Sequence, residues 1–383
     1  MLLSNLIREM RKALTVNLRY SLLAMTVIVA GCGGPASFVA GNGGTAATQT
    51  ATAESVEYHA YGDSITYGFL LYNPQKQSYP ALVRSHENVS SFANYAISGQ
   101  QACDIATWQI SANEDSPTLA THPYYSVLVG TNEVRKTDPK RYEPTYTTCL
   151  RAVLSWLAVP REYKVLEGDA RMSISGPGQV RILDNWRVWS TAGEGASVSF
   201  GITTTARGPI YAWPWNDNSS SAIYTYALDG VVVGKSAART FPFIKTEFKS
   251  TRSLGFIRIE DVAAGKHIVT FTQENAGAHG VSIVGVGAPS GRLAGQLPTV
   301  LAGTIPFQDH GGKEGRCTAT DPLCWVYIQI IRNSVDLFHS DGLNMRLFDT
   351  RKYMFGTPKE MADTQHPNAL GQQEISHAVE AAW

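Results

Sequence analysis

The chain has 383 residues, of which 44% are apolar and 17% are charged. This composition is typical of a folded globular protein and excludes a largely disordered one. Lysine plus arginine and aspartate plus glutamate number 32 each, so no strong overall field attracts nucleic acid or an anionic membrane surface. The chain is long enough to bury one or two large cores, and we expect no nucleic-acid partner.

Residues 1–32 have the pattern of a secretory signal peptide. Basic residues precede an apolar run at 22–31 that is too short to span a bilayer but suits a signal. The run ends in VAGC, which resembles the lipobox of bacterial lipoproteins, and this resemblance implies that Cys32 is lipidated and anchors the protein to a membrane. An ordinary cleaved signal has the same pattern and stays open as the alternative.

Residues 33–55 are rich in Gly, Ala, Ser and Thr, which is the composition of a flexible tether. Such a tether would hold the folded part of the chain away from a membrane. The first 55 residues therefore predict an exported protein, lipid-anchored to the bacterial cell envelope, or secreted if the lipobox is not used.

If the protein is exported, we expect its remaining cysteines to form disulfides, because an oxidising compartment favours them over free thiols. These cysteines are Cys103, Cys149, Cys317 and Cys324. We favour Cys317 with Cys324, which closes a short loop, and by elimination Cys103 with Cys149. Spacing alone leaves three connectivities open. No metal site is expected, because the sequence has no CxxC pair and no histidine cluster near these cysteines.

Three segments follow the tether. Short apolar runs alternate with helical patterns over residues 56–159, which predicts a parallel sheet covered by helices on both faces. Over residues 160–290, β-branched and aromatic runs recur between Gly, Asn and Asp turns, as in a sandwich or jelly roll. The first pattern returns over residues 291–383. The sequence thus predicts an α/β domain interrupted by an all-β insert.

Candidate functional residues follow the strands of the predicted α/β domain. Ser64, Gly99 and Asn132 follow its first, second and third strands, and the carboxyl ends of parallel strands are where ligands bind. Near the other end of the chain, Asp363 and His366 are three residues apart, close enough for the carboxylate to hold the imidazole. We expect these five residues to lie together.

These residue types fit nucleophilic catalysis. A serine hydroxyl is a weak nucleophile until an imidazole removes its proton, and the imidazole needs a third group to fix its tautomer. Ser64, His366 and Asp363 suit these three tasks. The anionic oxygen of a tetrahedral intermediate needs donors already in place, and the backbone of Gly99 and the amide of Asn132 suit that task.

Four motifs, in this order, resemble the blocks of the GDSL, or SGNH, hydrolase family. They are GDSI at 62–65, the glycine of ISGQ at 97–100, GTNE at 130–133 and DTQHPN at 363–368. The resemblance implies a flavodoxin-like three-layer fold and a serine esterase with no metal or organic cofactor. It implies Ser64 as nucleophile, His366 as base and Asp363 as its partner, with Gly99, Asn132 and the Ser64 amide as oxyanion donors. Glu133 departs from the usual GxND block.

The insert carries candidate sugar-binding residues. Trp213 and Trp215 flank Pro214, which favours a loop or edge strand and hence partial exposure, although most aromatic side chains fill cores. The predicted arrangement resembles O-acetylesterases whose sandwich is like a carbohydrate-binding module. Asp309 and His310 follow the fourth strand of the α/β domain and are further candidates for substrate contact.

The sequence as a whole predicts an exported serine esterase. The expected substrate is an ester of a short acyl group on a cell-envelope or extracellular carbohydrate, such as an acetylated polysaccharide or peptidoglycan. The acyl group that we expect is acetyl. Two alternatives stay open: a lipase or lysophospholipase that uses the same site, and a non-catalytic glycan-binding lipoprotein.

Overall fold

The computed structural model describes residues 56–87, 89–110, 123–135, 139–239, 252–289, 297–308 and 317–383. The predicted signal peptide, Cys32 and the tether lie outside these residues. Within the described ranges, no helix has both the length and the apolar character needed to cross a bilayer.

A parallel sheet of five strands forms the centre of the α/β domain, in the order β17-β16-β3-β1-β2. Its strands are β1 (Val56–Gly62), β2 (Val89–Asn94), β3 (Tyr124–Leu128), β16 (Thr299–Gly303) and β17 (Met345–Phe348). Every residue of β16 is buried, as expected when helices cover both faces of a parallel sheet.

Helices cover both faces of this sheet. They are α1 (Ser64–Tyr67), α2 (Pro74–Gln77), α3 (Tyr79–His86), α4 (Ala102–Asp104), α5 (Thr131–Val134), α6 (Pro139–Ala158), α7 (Pro322–Ser340) and α8 (Ala369–Glu380). A π-helical turn (Ile105–Gln109) and two 3-10 turns (Arg161–Tyr163 and Thr350–Lys352) complete them. Tyr58 of β1 packs into the core with α3 and α8, whereas Tyr61 packs into the core with α6 and α7. The domain is the predicted three-layer α/β fold.

Two antiparallel sheets form the insert, in the orders β11-β10-β14-β8-β5 and β12-β9-β15-β7-β6. Two further strands extend the second sheet: β13 pairs with β9, and β4 pairs with β15. The strands are β4 (Lys164–Leu166), β5 (Met172–Ser175), β6 (Gly178–Leu183), β7 (Trp186–Thr191), β8 (Ser197–Thr204), β9 (Gly208–Asp217), β10 (Ile223–Leu228), β11 (Val231–Ala237), β12 (Arg252–Leu254), β13 (Ile257–Val262), β14 (Gly265–Gln273) and β15 (Ser282–Gly287). A core that includes Phe200, Phe271 and Ile283 lies between the sheets. The predicted all-β sandwich is confirmed.

The prediction that Trp213 and Trp215 are partly exposed is wrong. Both are buried, with 0% and 1% of their surface accessible. Their strand, β9, lies between β15 on one side and β12 and β13 on the other, so Pro214 stands in an inner strand. The register of β15 shifts between Ile283, which faces Pro214, and Gly285. Such a bulge accommodates a proline that has no N–H to donate.

β9 is buried on both faces, which agrees with its largely apolar sequence. Ala212 belongs to the core of the sandwich, whereas Trp213 and Trp215 belong to the core shared with the α/β domain. The Trp213 indole N–H donates to Ser155 Oγ at 3.0 Å, and its ring meets that of Trp156 edge to face. These tryptophans therefore attach the insert to α6.

A buried carboxylate also joins the insert to the α/β domain. Asp341, which follows α7 and has a side chain only 3% exposed, accepts from both Nε and Nη2 of Arg258 at 3.0 and 2.6 Å. It also accepts from the Tyr211 hydroxyl at 2.7 Å. A buried charge needs several such partners to offset its lost hydration, so these bonds fix how β9 and β13 lie against α7.

The structure contains the two expected disulfides. Cys103–Cys149 joins α4 to α6, and Cys317–Cys324 closes the loop that leads into α7. The first bridge spans 46 residues of sequence, so it removes more freedom from the unfolded chain than the second, which spans 7.

We predict that Trp213→Ala lowers the free energy of unfolding by about 3–5 kcal/mol, because it leaves a cavity where two domains meet. Urea denaturation followed by circular dichroism would measure the loss. Ile182→Ala is the control, since Ile182 is 75% exposed and its removal should change stability by less than about 0.5 kcal/mol. A Trp213→Ala protein that is as stable as the wild type would contradict the buried position.

Candidate active site

Ser64 lies at the start of α1, directly after β1, and is 4% exposed. The Asp63 carboxylate caps this helix by accepting from the Ile65 N–H at 2.9 Å. Gly68 ends it in a left-handed conformation, with φ of +82°. This strand, turn and helix place the serine hydroxyl at the carboxyl edge of the sheet.

Two buried glutamines hold the turn that carries Ser64. Gln109 accepts from the Gly62 N–H at 3.0 Å and donates to the Gly62 carbonyl at 2.7 Å. Gln372 of α8 donates to the Ile65 carbonyl at 2.9 Å and accepts from the Tyr79 N–H at 2.8 Å. No motif in the sequence pointed to either residue, because their partners are backbone groups far along the chain.

Gly62 is required by the close packing of this turn. A Cβ at this position would lie 2.1 Å from the Thr66 hydroxyl oxygen and 2.6 Å from the Leu128 carbonyl oxygen. A side chain at this position would therefore push the end of β1 away from the end of β3, close to Ser64.

A hydroxyl, an imidazole and a carboxylate lie in hydrogen-bonded series. His366 Nε2 is 3.0 Å from Ser64 Oγ, and His366 Nδ1 is 2.8 Å from Asp363 Oδ2. The tautomer that satisfies both contacts has Nδ1–H donating to the carboxylate and Nε2 accepting from the serine hydroxyl. In this arrangement the imidazole nitrogen is placed where it can accept the Ser64 proton.

The Asp363 carboxylate is stabilised in its charged form. Its Oδ1 accepts from the backbone N–H groups of Gln365 and His366, at 2.7 and 2.6 Å. Partial burial favours the neutral acid, but the hydrogen bonds from the His366 side chain and the two backbone groups outweigh it and lower the pKa of Asp363. Asp363 can therefore hold the ring and stabilise its protonated form.

Gly99 lies in the loop that follows β2, and Asn132 lies in α5, shortly after β3; β2 and β3 are the two neighbours of β1 in the sheet. The Ile97 N–H donates to the Gly62 carbonyl at 3.3 Å, which draws the loop of Gly99 towards the end of β1. The Asn132 side-chain amide donates to the Gln100 carbonyl at 2.8 Å. Gly99 has φ of +84°, a conformation that favours glycine. Ser64, Gly99 and Asn132 thus each follow one of three neighbouring parallel strands, at the same edge of the sheet.

Glu133, which follows Asn132 in the GTNE segment, is buried and accepts from the Ala102 N–H at 2.6 Å. It forms a second link between the β3 loop and the segment after Gly99, next to the one made by Asn132. Burial raises the pKa of Glu133 from 4.5 to about 8, and the nearby Asp63 and Asp104 add to the shift. The shift therefore favours the neutral acid near pH 7.

The other predicted site residues do not join this cluster or lie outside the described residues. Trp213 and Trp215 lie where the sandwich packs on the α/β domain, and Asp309, His310 and Cys32 lie outside the described residues. In the part of the chain that the structure describes, no group of three or more His, Cys, Asp or Glu residues is placed to hold a metal ion.

No protein-family model and no curated protein matches the chain. Solved structures, among them the following three, show similarity at low identity. A two-domain esterase active on acetylated mannans, co-crystallised with mannopentaose, has 12% identity and a TM-score of 0.33 over 61% of this chain and 90% of its own. A lipolytic G-D-S-L family protein from Veillonella parvula has 12% identity and a TM-score of 0.38 over 85% and 97%. A family 35 carbohydrate-binding module from Clostridium thermocellum has 10% identity and a TM-score of 0.25 over 32% and 93%.

We predict that Glu133→Gln removes part of the pH dependence of stability. The raised pKa means that the folded protein keeps a proton that the unfolded chain releases, so wild-type stability falls as pH rises from 4.5 to about 8. Glutamine has the shape of the neutral acid and stays neutral. Across this window the variant should gain about 1 kcal/mol or more relative to the wild type.

Urea denaturation at about pH 5 and about pH 8 would measure this difference. Glu194→Gln, which changes an exposed glutamate in the same way, is the matched control. The same pH trend in both variants would contradict the assignment to Glu133.

Proposed function

We propose that the protein is a serine ester hydrolase with Ser64 as nucleophile, His366 as general base and Asp363 as the partner of His366. The observation that carries this proposal is the hydrogen-bonded series from Ser64 Oγ through the imidazole to the Asp363 carboxylate. Groups in this order and at these distances are what a serine hydroxyl needs to act as a nucleophile.

The reaction follows from this geometry. As Ser64 Oγ attacks the ester carbonyl carbon, its proton passes to His366 Nε2, and Asp363 stabilises the imidazolium. Nε2 then gives the proton to the departing alcohol oxygen, which leaves an acyl-serine and a neutral ring. Water attacks the acyl-serine by the same route in reverse, which releases the carboxylic acid and restores the Ser64 hydroxyl.

The oxyanion of each tetrahedral intermediate would be bound by the Gly99 N–H, the Asn132 amide and the Ser64 N–H. Asn132 is held by its bond to the Gln100 carbonyl, so the donor is in position before substrate arrives. A donor that is already oriented stabilises developing charge without reorganisation, which is the largest contribution in many enzymes.

A short acyl group fits the surroundings of Ser64 best. Only 4% of the residue is exposed, which leaves little room beside the hydroxyl. We therefore propose an acetyl ester, carried by a cell-envelope or extracellular carbohydrate.

We also propose that the protein is exported and attached to a membrane through Cys32. The support is the pattern of residues 1–32 together with two disulfides, which persist in oxidising compartments and are rare in reducing ones.

We predict that purified protein hydrolyses p-nitrophenyl acetate faster than the octanoate ester, and that Ser64→Ala lowers kcat about a thousandfold or more. Release of nitrophenol measures both rates. A preference for octanoate would favour a lipid esterase. Equal rates for wild type and Ser64→Ala would remove the catalytic assignment and favour the glycan-binding alternative.

We further predict that Asn132→Ala lowers kcat about a hundredfold to a thousandfold with little change in KM, because the lost donor acts mainly in the transition state. Asn344→Ala is the matched control, since it removes an amide hydrogen bond to Thr299 at the amino end of the same sheet. A similar loss of kcat in both variants would show that the effect is structural.

A further inference from the structure

An exposed phenylalanine lies directly beside the imidazole. The ring of Phe69 is 4.9 Å from that of His366, centroid to centroid, and the residue is 42% exposed. Its backbone N–H donates to the Ser64 carbonyl at 2.9 Å, and the Gly68 N–H donates to the same oxygen at 3.1 Å. The loop that carries Phe69 is thus tied to the nucleophile itself, which fixes the ring relative to both Ser64 and His366.

The position of Phe69 identifies the part of the substrate that it meets. In the proposed reaction, His366 Nε2 protonates the alcohol oxygen as it leaves, so the alcohol must lie beside the imidazole. The carbonyl oxygen is bound by the proposed oxyanion donors, Gly99 and Asn132. Phe69 packs on the imidazole and therefore borders the alcohol side of the site.

We propose that Phe69 is a substrate-binding residue whose exposed face receives a pyranose ring, the alcohol part of the ester. This inference rests on the proposed function and assigns its substrate class to a particular surface. The face of an aromatic ring carries partial negative charge, which suits the weakly positive C–H groups on one face of a sugar.

The residues around Phe69 combine aromatic and polar side chains with one exposed leucine, Leu70, which is 53% exposed. Tyr67 and Tyr72 are 46% and 99% exposed, and each carries a hydroxyl that can form hydrogen bonds. Gln75 and Lys76, in the short helix α2 that follows, are also exposed. The hydroxyls and the amide offer hydrogen bonds that a sugar can use and an alkyl chain cannot, whereas Leu70 offers an apolar contact to either.

The test compares Phe69→Leu with Phe69→Tyr in the full chain. Leucine keeps an apolar contact with His366 but has no aromatic face, whereas tyrosine keeps the face. Two substrates share the acetyl group and differ in the alcohol: ethyl acetate and an acetylated methyl xylopyranoside. We expect Phe69→Leu to lower kcat/KM for the pyranoside about threefold to tenfold relative to ethyl acetate, and Phe69→Tyr to keep the wild-type ratio.

Three outcomes would overturn the inference. Equal losses on both substrates in Phe69→Leu would show that the ring only positions His366, and the proposed function would stand. A larger loss on ethyl octanoate than on the pyranoside would show that the ring contacts the acyl chain. If Ser64→Ala hydrolyses ethyl acetate as fast as the wild type, the proposed function fails and the inference fails with it. Ile182→Ala controls for the loss of an exposed apolar side chain.

Discussion

The site depends on one buried amide, that of Gln372, which connects the two ends of the α/β domain. Ser64 and His366 are 302 residues apart in sequence, yet their side chains must meet at 3.0 Å. Gln372 lies six residues after His366 and binds both the Ile65 carbonyl and the Tyr79 N–H. Since a buried amide with unmade hydrogen bonds is costly, α8 has one favoured position against the turn of Ser64. Asn368 caps α8 by accepting from the Leu370 and Gly371 N–H groups and so fixes the loop that carries His366.

The insert does not disturb the contact between Ser64 and His366, because the first and last strands of the insert lie side by side. Its first strand, β4, pairs antiparallel with its last, β15, with Lys164 opposite Gly287. The chain therefore leaves and re-enters the α/β domain at nearly the same place, and the parallel sheet is not forced apart. The insert is nevertheless packed firmly, since β9 is buried on both faces and Asp341 binds Arg258 and Tyr211.

The sequence was most informative where local rules decide the structure. Ser64, Gly99 and Asn132 could be placed together because each follows a strand, and parallel strands end at one edge. Asp363 and His366 could be paired because they are three residues apart. Trp213 could not be placed correctly from the sequence. Proline is normally confined to edge strands, and the bulge in β15 that allows Pro214 in an inner strand lies about seventy residues later. Gln109 and Gln372 could not be found because their partners are backbone groups brought near only by the complete fold.

The distribution of charge around Ser64 matches what the proposed reaction needs. Negative charge develops on the carbonyl oxygen, towards Asn132, and positive charge develops on His366. An ionised carboxylate beside Asn132 would destabilise the negative charge on the carbonyl oxygen, and Glu133 is adjacent to Asn132 in sequence. Burial keeps Glu133 neutral by raising its pKa to about 8, while hydrogen bonds keep Asp363 charged beside the imidazole by lowering its pKa. Desolvation thus favours the neutral form of Glu133 on the oxyanion side, and hydrogen bonding retains the charge of Asp363 on the imidazole side, so a glutamate after Asn132 is compatible with the proposed chemistry.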